Sequence, residues 1–396
     1  MQNIVTPPPI EPGGVFVHIG PHKTGTTAIQ DSLFCSQEVL KEKGFVYFAT
    51  GTHVSANSAV KAFARRLDRG VAQRIRASVR SDDWTPIQST LAKNPEKTVL
   101  LSAEQFADLN NQQVSNFVNA LRGRPIRVVL TLRSLAEIIP SQWQQFVKRG
   151  AMPSLDEWTR ELFTPNSTAR KVNLFWIRHR HDELLGRWVD AVGPERVSVV
   201  IVDSNDRAAI FRTFEQLIGL PPGTLQPGSR VNKSMSIEQA ELVRESFMQL
   251  ERAGMGKLFG DKGAWTAIHN YLLSVSDSSA GERPRLPDSA RPAVVAVANE
   301  IVDAIQRSGV GVIGDLSALN RIPPSGTAQL VGANRAVPAD LGGAMAVSLL
   351  RAAGIKGLRT REQYQVFLDE IPLKALMGAA WERLLQRVGI APRRRG

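Results

Sequence analysis

Four short runs along the chain are almost wholly apolar and scarcely alternate: Val15–Ile19, Thr98–Leu101, Arg127–Leu132 and Val197–Val202. A strand with one wet face alternates apolar and polar residues, whereas a strand covered on both faces stays apolar. These runs, rich in Val, Ile and Leu, therefore predict buried strands of a parallel sheet. Between them apolar positions recur with a helical period. The helices predicted are Thr26–Lys43, Val54–Asp68, Pro86–Lys93, Gln112–Leu121, Leu135–Lys148, Leu174–Val192 and Arg207–Leu220. Strands alternating with helices predict a layered α/β fold.

The pattern changes after Leu220. Pro221-Pro222-Gly223 and Pro227-Gly228 form a cluster of chain breakers. Beyond it the helical period persists over Ser236–Arg252, Asp288–Gln306, Pro338–Ala353 and Leu373–Val388, with little strand signal. Ser274–Pro287 and Ile322–Ala336 are rich in Ser, Gly and Pro and are predicted as loops. The expected organisation is a flexible N-terminus over residues 1–12, an α/β domain over 13–235 and a mainly helical C-terminal extension or cap over 236–396.

The first strand runs into a turn bounded by Gly20 and Gly25, and a helix pattern starts at Thr26. A strand, a glycine turn and a helix start make a cradle for phosphate, because the first N–H groups of a helix have no partner within it. The spacing Gly-x-x-x-x-Gly is that of a P-loop, so the sheet is expected to belong to a P-loop-NTPase-like three-layer fold. The lysine is displaced, however. Lys23 lies inside the loop, and Thr26 stands where a nucleoside triphosphatase carries its lysine. The loop is thus predicted to hold a phosphate other than that of the usual triphosphate.

Composition narrows the setting. With 396 residues, 43% hydrophobic and 22% charged, the chain can bury a sizeable core. One cysteine, Cys35, rules out an intramolecular disulfide and suits a reducing compartment. Met1–Pro12 has neither a basic segment nor an apolar one, so no signal peptide is expected. No apolar run approaches the ~20 residues of a bilayer span, and the expected location is cytoplasmic. A net charge of +12 favours anionic partners in general. The basic tail Arg393-Arg394-Arg395 is expected to be solvated.

The string His22-Lys23-Thr24-Gly25-Thr26-Thr27 resembles the 5′-phosphosulfate loop of sulfotransferases that use 3′-phosphoadenosine 5′-phosphosulfate (PAPS). Its setting, Gly-Pro-His-Lys-Thr-Gly-Thr-Thr-Ala-Ile-Gln, looks most like bacterial members of the carbohydrate sulfotransferase branch. The tryptophan that follows the Thr pair in many cytosolic members is Ala28 here. The resemblance implies that Lys23 neutralises the bridging and phosphate oxygens, that His22 and Thr24 to Thr27 line the donor, and that Thr26 and Thr27 hold the 5′-phosphate. A second part of the resemblance is Arg133 at a strand end with Ser141 eight residues on, the pair that holds the 3′-phosphate in the family. An Asn-Lys-Ser string within Arg230–Ser234 is similar to a loop near the nucleotide in bacterial relatives, which makes Arg230 and Lys233 candidate donor contacts. The Arg-Lys-Gly loop of cytosolic members is absent.

Glu104, in Leu100-Leu101-Ser102-Ala103-Glu104 just past the predicted strand Thr98–Leu101, stands where α/β sheets bind ligands. Sulfuryl transfer to a hydroxyl needs a base for its proton. Glycan sulfotransferases commonly use Glu there, so Glu104 is the candidate base, with His22 a second candidate. His53 is a candidate for the acceptor cleft, and His18, within a buried strand, is expected to be structural. His179 and His181, two apart on a predicted helix, should face apart, and the sequence holds no cluster with metal-ligand spacing. The implied partners are PAPS as co-substrate, without a metal, and a hydroxyl-bearing acceptor, a carbohydrate or other small molecule, with no specific nucleic acid. Two other readings remain at this stage. Val199–Asp203 could pass for the magnesium-binding strand of a kinase or NTPase, and the positive charge could serve a non-enzymatic binder of acidic polymers.

Overall fold

The computed structural model describes residues 7–49, 85–121, 123–150, 153–203, 205–228, 234–252, 282–323, 342–346 and 348. The chain divides into two compact units that interleave along the sequence. One comprises Met1–Ile138, Leu162–Val231 and Ala290–Pro323; the other comprises Ile139–Glu161, Asn232–Ser289 and Pro324–Gly396.

The first unit is built on a six-stranded sheet in the order β2-β3-β1-β4-β5-β6. The strands are β1 (Val15–Ile19), β2 (Phe45–Tyr47), β3 (Thr98–Ala103), β4 (Ile126–Leu132), β5 (Val197–Ile201) and β6 (Gly311–Ile313). Every pairing is parallel. The four apolar runs all become strands, and every residue of β1, β3 and β5 is buried. The two strands that the pattern missed, β2 and β6, are three-residue edges whose side chains are mostly half-buried. Three residues are too few to display a period. β6 also draws a strand from the segment where little strand signal was expected.

The helices among the described residues include α1 (Thr26–Cys35), α2 (Gln37–Glu42), α3 (Thr85–Lys93), α4 (Asn111–Ala120), α5 (Leu135–Val147), α6 (Leu155–Leu162), α7 (Arg170–His179), α8 (His181–Val192), α9 (Ala209–Ile218), α10 (Ile237–Arg252) and α11 (Arg291–Arg307). Two long predicted helices are each broken in two. The first stops at Ser36 (φ −93°, ψ 9°). The second stops at Arg180 (φ −74°, ψ 80°), whose guanidinium binds Asp182 at 2.6 Å and Glu300 at 3.0 Å. No glycine or proline marks that break, so local pattern gave no sign of it. The predicted helices Val54–Asp68 and Leu373–Val388 lie outside the described residues. Of Pro338–Ala353, residues 342–346 and 348 are described, as helix.

Side chains alternate across a strand, so the sheet has two faces to cover. On one, Phe16, Leu100, Val129 and Val200 pack with Ile29 and Leu33 of α1 and with Ile210, Phe214 and Leu217 of α9. On the other, α8 packs on β4 and β5 and is itself flanked by α4, α7 and α11. The result is a three-layer α/β unit of the P-loop-like class. Phe106, Phe117 and Trp188, from the short 3₁₀ helix Glu104–Asp108, α4 and α8, meet edge to face with centroids 5.1 to 6.0 Å apart. Those contacts pin the turn that follows β3.

The second unit has its own apolar centre. Trp143 and Trp158 are fully buried. The Trp143 indole donates to the Pro153 carbonyl at 2.9 Å, and the Gln144 amide donates to that of Met235 at 3.0 Å. Among the described residues no helix is long and apolar enough to cross a membrane.

Phe214 tests the first face. Its ring lies 5.9 Å from that of Phe16 and 4.8 Å from the His18 imidazole, with no exposed surface. Phe214→Ala should destabilise the protein by about 3–5 kcal/mol in denaturant unfolding.

Candidate functional site

In the order β2-β3-β1-β4-β5, the chain leaves β1 toward one edge of the sheet and leaves β4 toward the other. The crevice at the carboxyl ends of such a diverging pair is where open α/β sheets take ligands. The loop after β1 and the residue after β4 both open there. Ile19 pairs with Leu130, so Lys23 and Arg133 emerge at the same end of neighbouring strands. A 3.0 Å contact between the hydroxyls of Thr24 and Thr131 ties the loop to the end of β4. Glu104 follows β3, the neighbour of β1 on its other side. The candidate residues of the loop, Arg133 and Glu104 therefore share one end of the sheet.

The loop has two forced positions. A Cβ on Gly20 would lie 2.0 Å from the Thr26 hydroxyl, which instead donates to the Gly20 carbonyl at 2.9 Å. Gly25, at φ 84°, sits in the left-handed region and begins α1 without a side-chain cap. The helix start thus presents its backbone N–H groups with no competing side-chain acceptor. Lys23 also adopts a positive φ, 74°, although it carries a Cβ. Such a residue costs of order 1–3 kcal/mol and persists only where its surroundings impose it. Here the Thr24 amide and hydroxyl both donate to the Pro21 carbonyl, at 3.2 and 2.8 Å, and close the turn around Lys23.

His22 and Glu104 form a pair. The imidazole Nδ1 lies 2.7 Å from Glu104 Oε2, and both side chains keep about a fifth to a quarter of their surface. Burial works to raise the Glu104 pKa, but the hydrogen bond from His22 and the charges of His22, Lys23 and Arg178 outweigh it. The carboxyl is held below its ordinary value. Arg178 is fixed in turn by a bidentate bond to Asp108, at 2.5 and 2.7 Å. Neither Arg178 nor Asp108 stands out in the sequence, since they are seventy residues apart and belong to no motif. Arg133 donates through Nε to Glu137 Oε2 at 2.6 Å, an i,i+4 pair that engages the side of the guanidinium and not its terminal nitrogens.

The described geometry does not bring the other candidates together with these residues. Ser141 stands on α5, within the second compact unit, whereas Arg133 belongs to the first. Pro140 lies inside that helix. Arg230, Lys233 and His53 lie outside the described residues. The Asp203 carboxylate accepts from the Asn205 amide at 2.7 Å, a local turn. His179 and His181 do not share a helix as expected. α7 ends at one and α8 begins at the other, so their rings meet edge to face with centroids 5.9 Å apart. Among the described residues no group of three or more His, Cys, Asp or Glu could hold a metal ion.

No protein-family model matches the chain, and no curated protein matches it. Among solved structures it is similar to the signal recognition particle 54 kDa protein from Aeropyrum pernix K1 in complex with GDP, at 13% identity and a TM-score of 0.24, over 98% of this chain and 80% of that one. The fold class rests on the strand order, register and loop geometry described above.

Three histidines are wholly buried and kept neutral. Burial pushes His18 down to about 3 and His181 to about 4. His179 lies well below its ordinary value, through burial first and then through its neighbours His181, His22 and Arg178, beside which a second positive charge is disfavoured. Each ring resists protonation when folded and accepts it freely near 6.5 when unfolded. Their contribution to stability is therefore complete above pH 6.5 and drains away as pH falls toward the folded values. Between pH 7 and 5 the loss should be about 2 kcal/mol for each of His18 and His181. Denaturant titrations across that range should show it, before the carboxylates titrate.

Proposed function

We propose that the chain is a sulfotransferase that moves a sulfuryl group from PAPS to a hydroxyl of a carbohydrate or other small acceptor. The observation that carries this reading is the placement of Lys23 and Arg133 at one end of neighbouring strands, tied by the contact between Thr24 and Thr131. A donor with a phosphosulfate at one end and a 3′-phosphate at the other needs two cationic grips within one molecule's reach. The displaced lysine and the resemblance of the loop string favour this donor over a nucleoside triphosphate.

The residues divide the work. The N–H groups at the start of α1, with the hydroxyl of Thr27, take the 5′-phosphate. Lys23 places a positive charge where the leaving phosphate gains a negative one, and a fixed cation there costs no reorganisation during transfer. Arg133, oriented through Nε by Glu137, offers its terminal nitrogens to the 3′-phosphate as a planar fork. The oxygen of the acceptor hydroxyl forms a bond to sulfur as the bond from sulfur to the bridging oxygen breaks, and the hydroxyl proton passes to a base. A carboxylate held below its usual pKa is a weak base, so Glu104 acts best through its partner. With Nδ1–H donated to Glu104, His22 keeps Nε2 as a proton acceptor, and Glu104 stabilises the imidazolium that forms.

Two measurements test this reading. Adenosine 3′,5′-bisphosphate should raise the melting temperature more than ATP does at equal concentration; equal shifts would remove the donor assignment. In an assay with labelled PAPS and a panel of hydroxyl acceptors, Glu104→Gln and His22→Asn should each lower kcat about 10²-fold or more. The double variant should fall little further, because paired groups act as a unit. Additive losses would separate the two residues and return the base role to one of them alone.

A further inference from the structure

Below the loop, three neighbouring strands each carry a polar residue on the same face: Ser102 on β3, His18 on β1 and Thr131 on β4. All three are fully buried, and the reaction proposed above uses none of them. Ser102 Oγ lies 2.8 Å from His18 Nδ1, and His18 Nε2 lies 3.1 Å from Thr131 Oγ1. Thr131 Oγ1 lies 3.0 Å from Thr24 Oγ1, which donates to the Pro21 carbonyl at 2.8 Å.

The last bond fixes the direction of all the others. A carbonyl oxygen can only accept, so the single Thr24 proton goes to Pro21. Thr24 must then accept from Thr131, whose own proton is thereby used. Thr131 in turn must accept from His18, which places a proton on Nε2. The ring is neutral, so Nδ1 is bare and accepts from Ser102. One tautomer and one set of hydroxyl orientations satisfy every member. Reversing any link would set two protons, or two lone pairs, against each other in a dry site, where an unmade hydrogen bond is costly.

We propose that His18 is a positioning residue for the anion-binding loop. Through Thr131 and Thr24 it holds the Pro21 carbonyl, and with it the left-handed turn at Lys23, in the bound shape before an anion arrives. Setting the loop in advance removes an ordering cost from binding. The inference rests on the loop being an anion site and not on the identity of the donor.

The test uses the full chain in two ways. In long-range ¹H–¹⁵N spectra of the ¹⁵N-histidine-labelled protein at neutral pH, His18 should show the Nε2–H tautomer; an Nδ1–H tautomer or an imidazolium there would overturn the proposal. Calorimetric titration with inorganic pyrophosphate then compares Thr131→Val with Thr131→Ser. Valine matches threonine in shape but cannot relay the bond, so affinity should fall about tenfold. Serine keeps the hydroxyl and should restore most of it. A purely packing role for this row predicts unchanged affinity in Thr131→Val, and that result, or a parent chain that does not take up pyrophosphate, would overturn the proposal. Should the valine variant fail to fold, the tautomer of the parent and the affinity of the serine variant still decide. Pyrophosphate carries no adenosine. A chain that behaves as expected here but shows no preference for adenosine 3′,5′-bisphosphate over ATP loses the donor reading and keeps the role of His18.

Discussion

The parallel pairing of β1 between β3 and β4 is the constraint on which the candidate site depends. It does two things at once. It brings the carboxyl ends of three strands together, so that the loop at Lys23, the turn at Glu104 and the strand end at Arg133 open to the same side. It also aligns His18, Ser102 and Thr131 in one buried row beneath them. A slip of one residue in either pairing would turn the polar side chains of the displaced strand to the opposite face. The row would then lose its partners and the loop its support. Register, more than any single contact, thus links the core to the site.

The price of this arrangement is visible in the core. A row of buried polar groups stabilises less than leucines in the same places, and Lys23 sits in a backbone region that side chains disfavour. Such departures are retained where shape matters more than stability. The apolar surroundings bear the cost: Phe214 covers the imidazole on one face, and on the other the trio of Phe106, Phe117 and Trp188 holds the turn that presents Glu104.

Much of this architecture was legible in the residues. The four apolar runs are all strands, because burial on both faces leaves no doubt about period. The glycine turn was equally clear, since Gly20 and Gly25 each meet a steric demand that other residues fail. The short edges β2 and β6 and the break at Arg180 were not legible, being set by neighbours distant in sequence. At the site, the loop could be read from its string, but its partners could not. The pairing of His22 with Glu104 joins residues 82 positions apart, and that of Arg178 with Asp108 joins residues 70 apart. A signal for the buried row did exist: β1, β3 and β4 each carry a polar residue one place before their last, His18, Ser102 and Thr131, in a stretch that is otherwise apolar apart from Thr98 and Arg127 near the strand starts. Recognising it required knowing that the three strands are neighbours.

The distribution of charge at the site bears on what kind of anion it suits. A chain of net charge +12 could attract any polyanion through its surface. Among the described residues at this end of the sheet, however, Lys23, Arg178 and Arg133 each act on a carboxylate. Lys23 acts on Glu104, Arg178 is clasped by Asp108, and Arg133 shares an edge with Glu137. Each carboxylate removes net attraction while fixing the direction in which donors point. An extended polymer, held by many exposed charges, gains little from such orientation and is repelled by the carboxylates. A small ligand with phosphates at set positions gains from every donor already aimed. The paired charges are thus consistent with the compact, doubly anionic ligand proposed above, an argument from geometry that the excess charge of the chain alone would not supply.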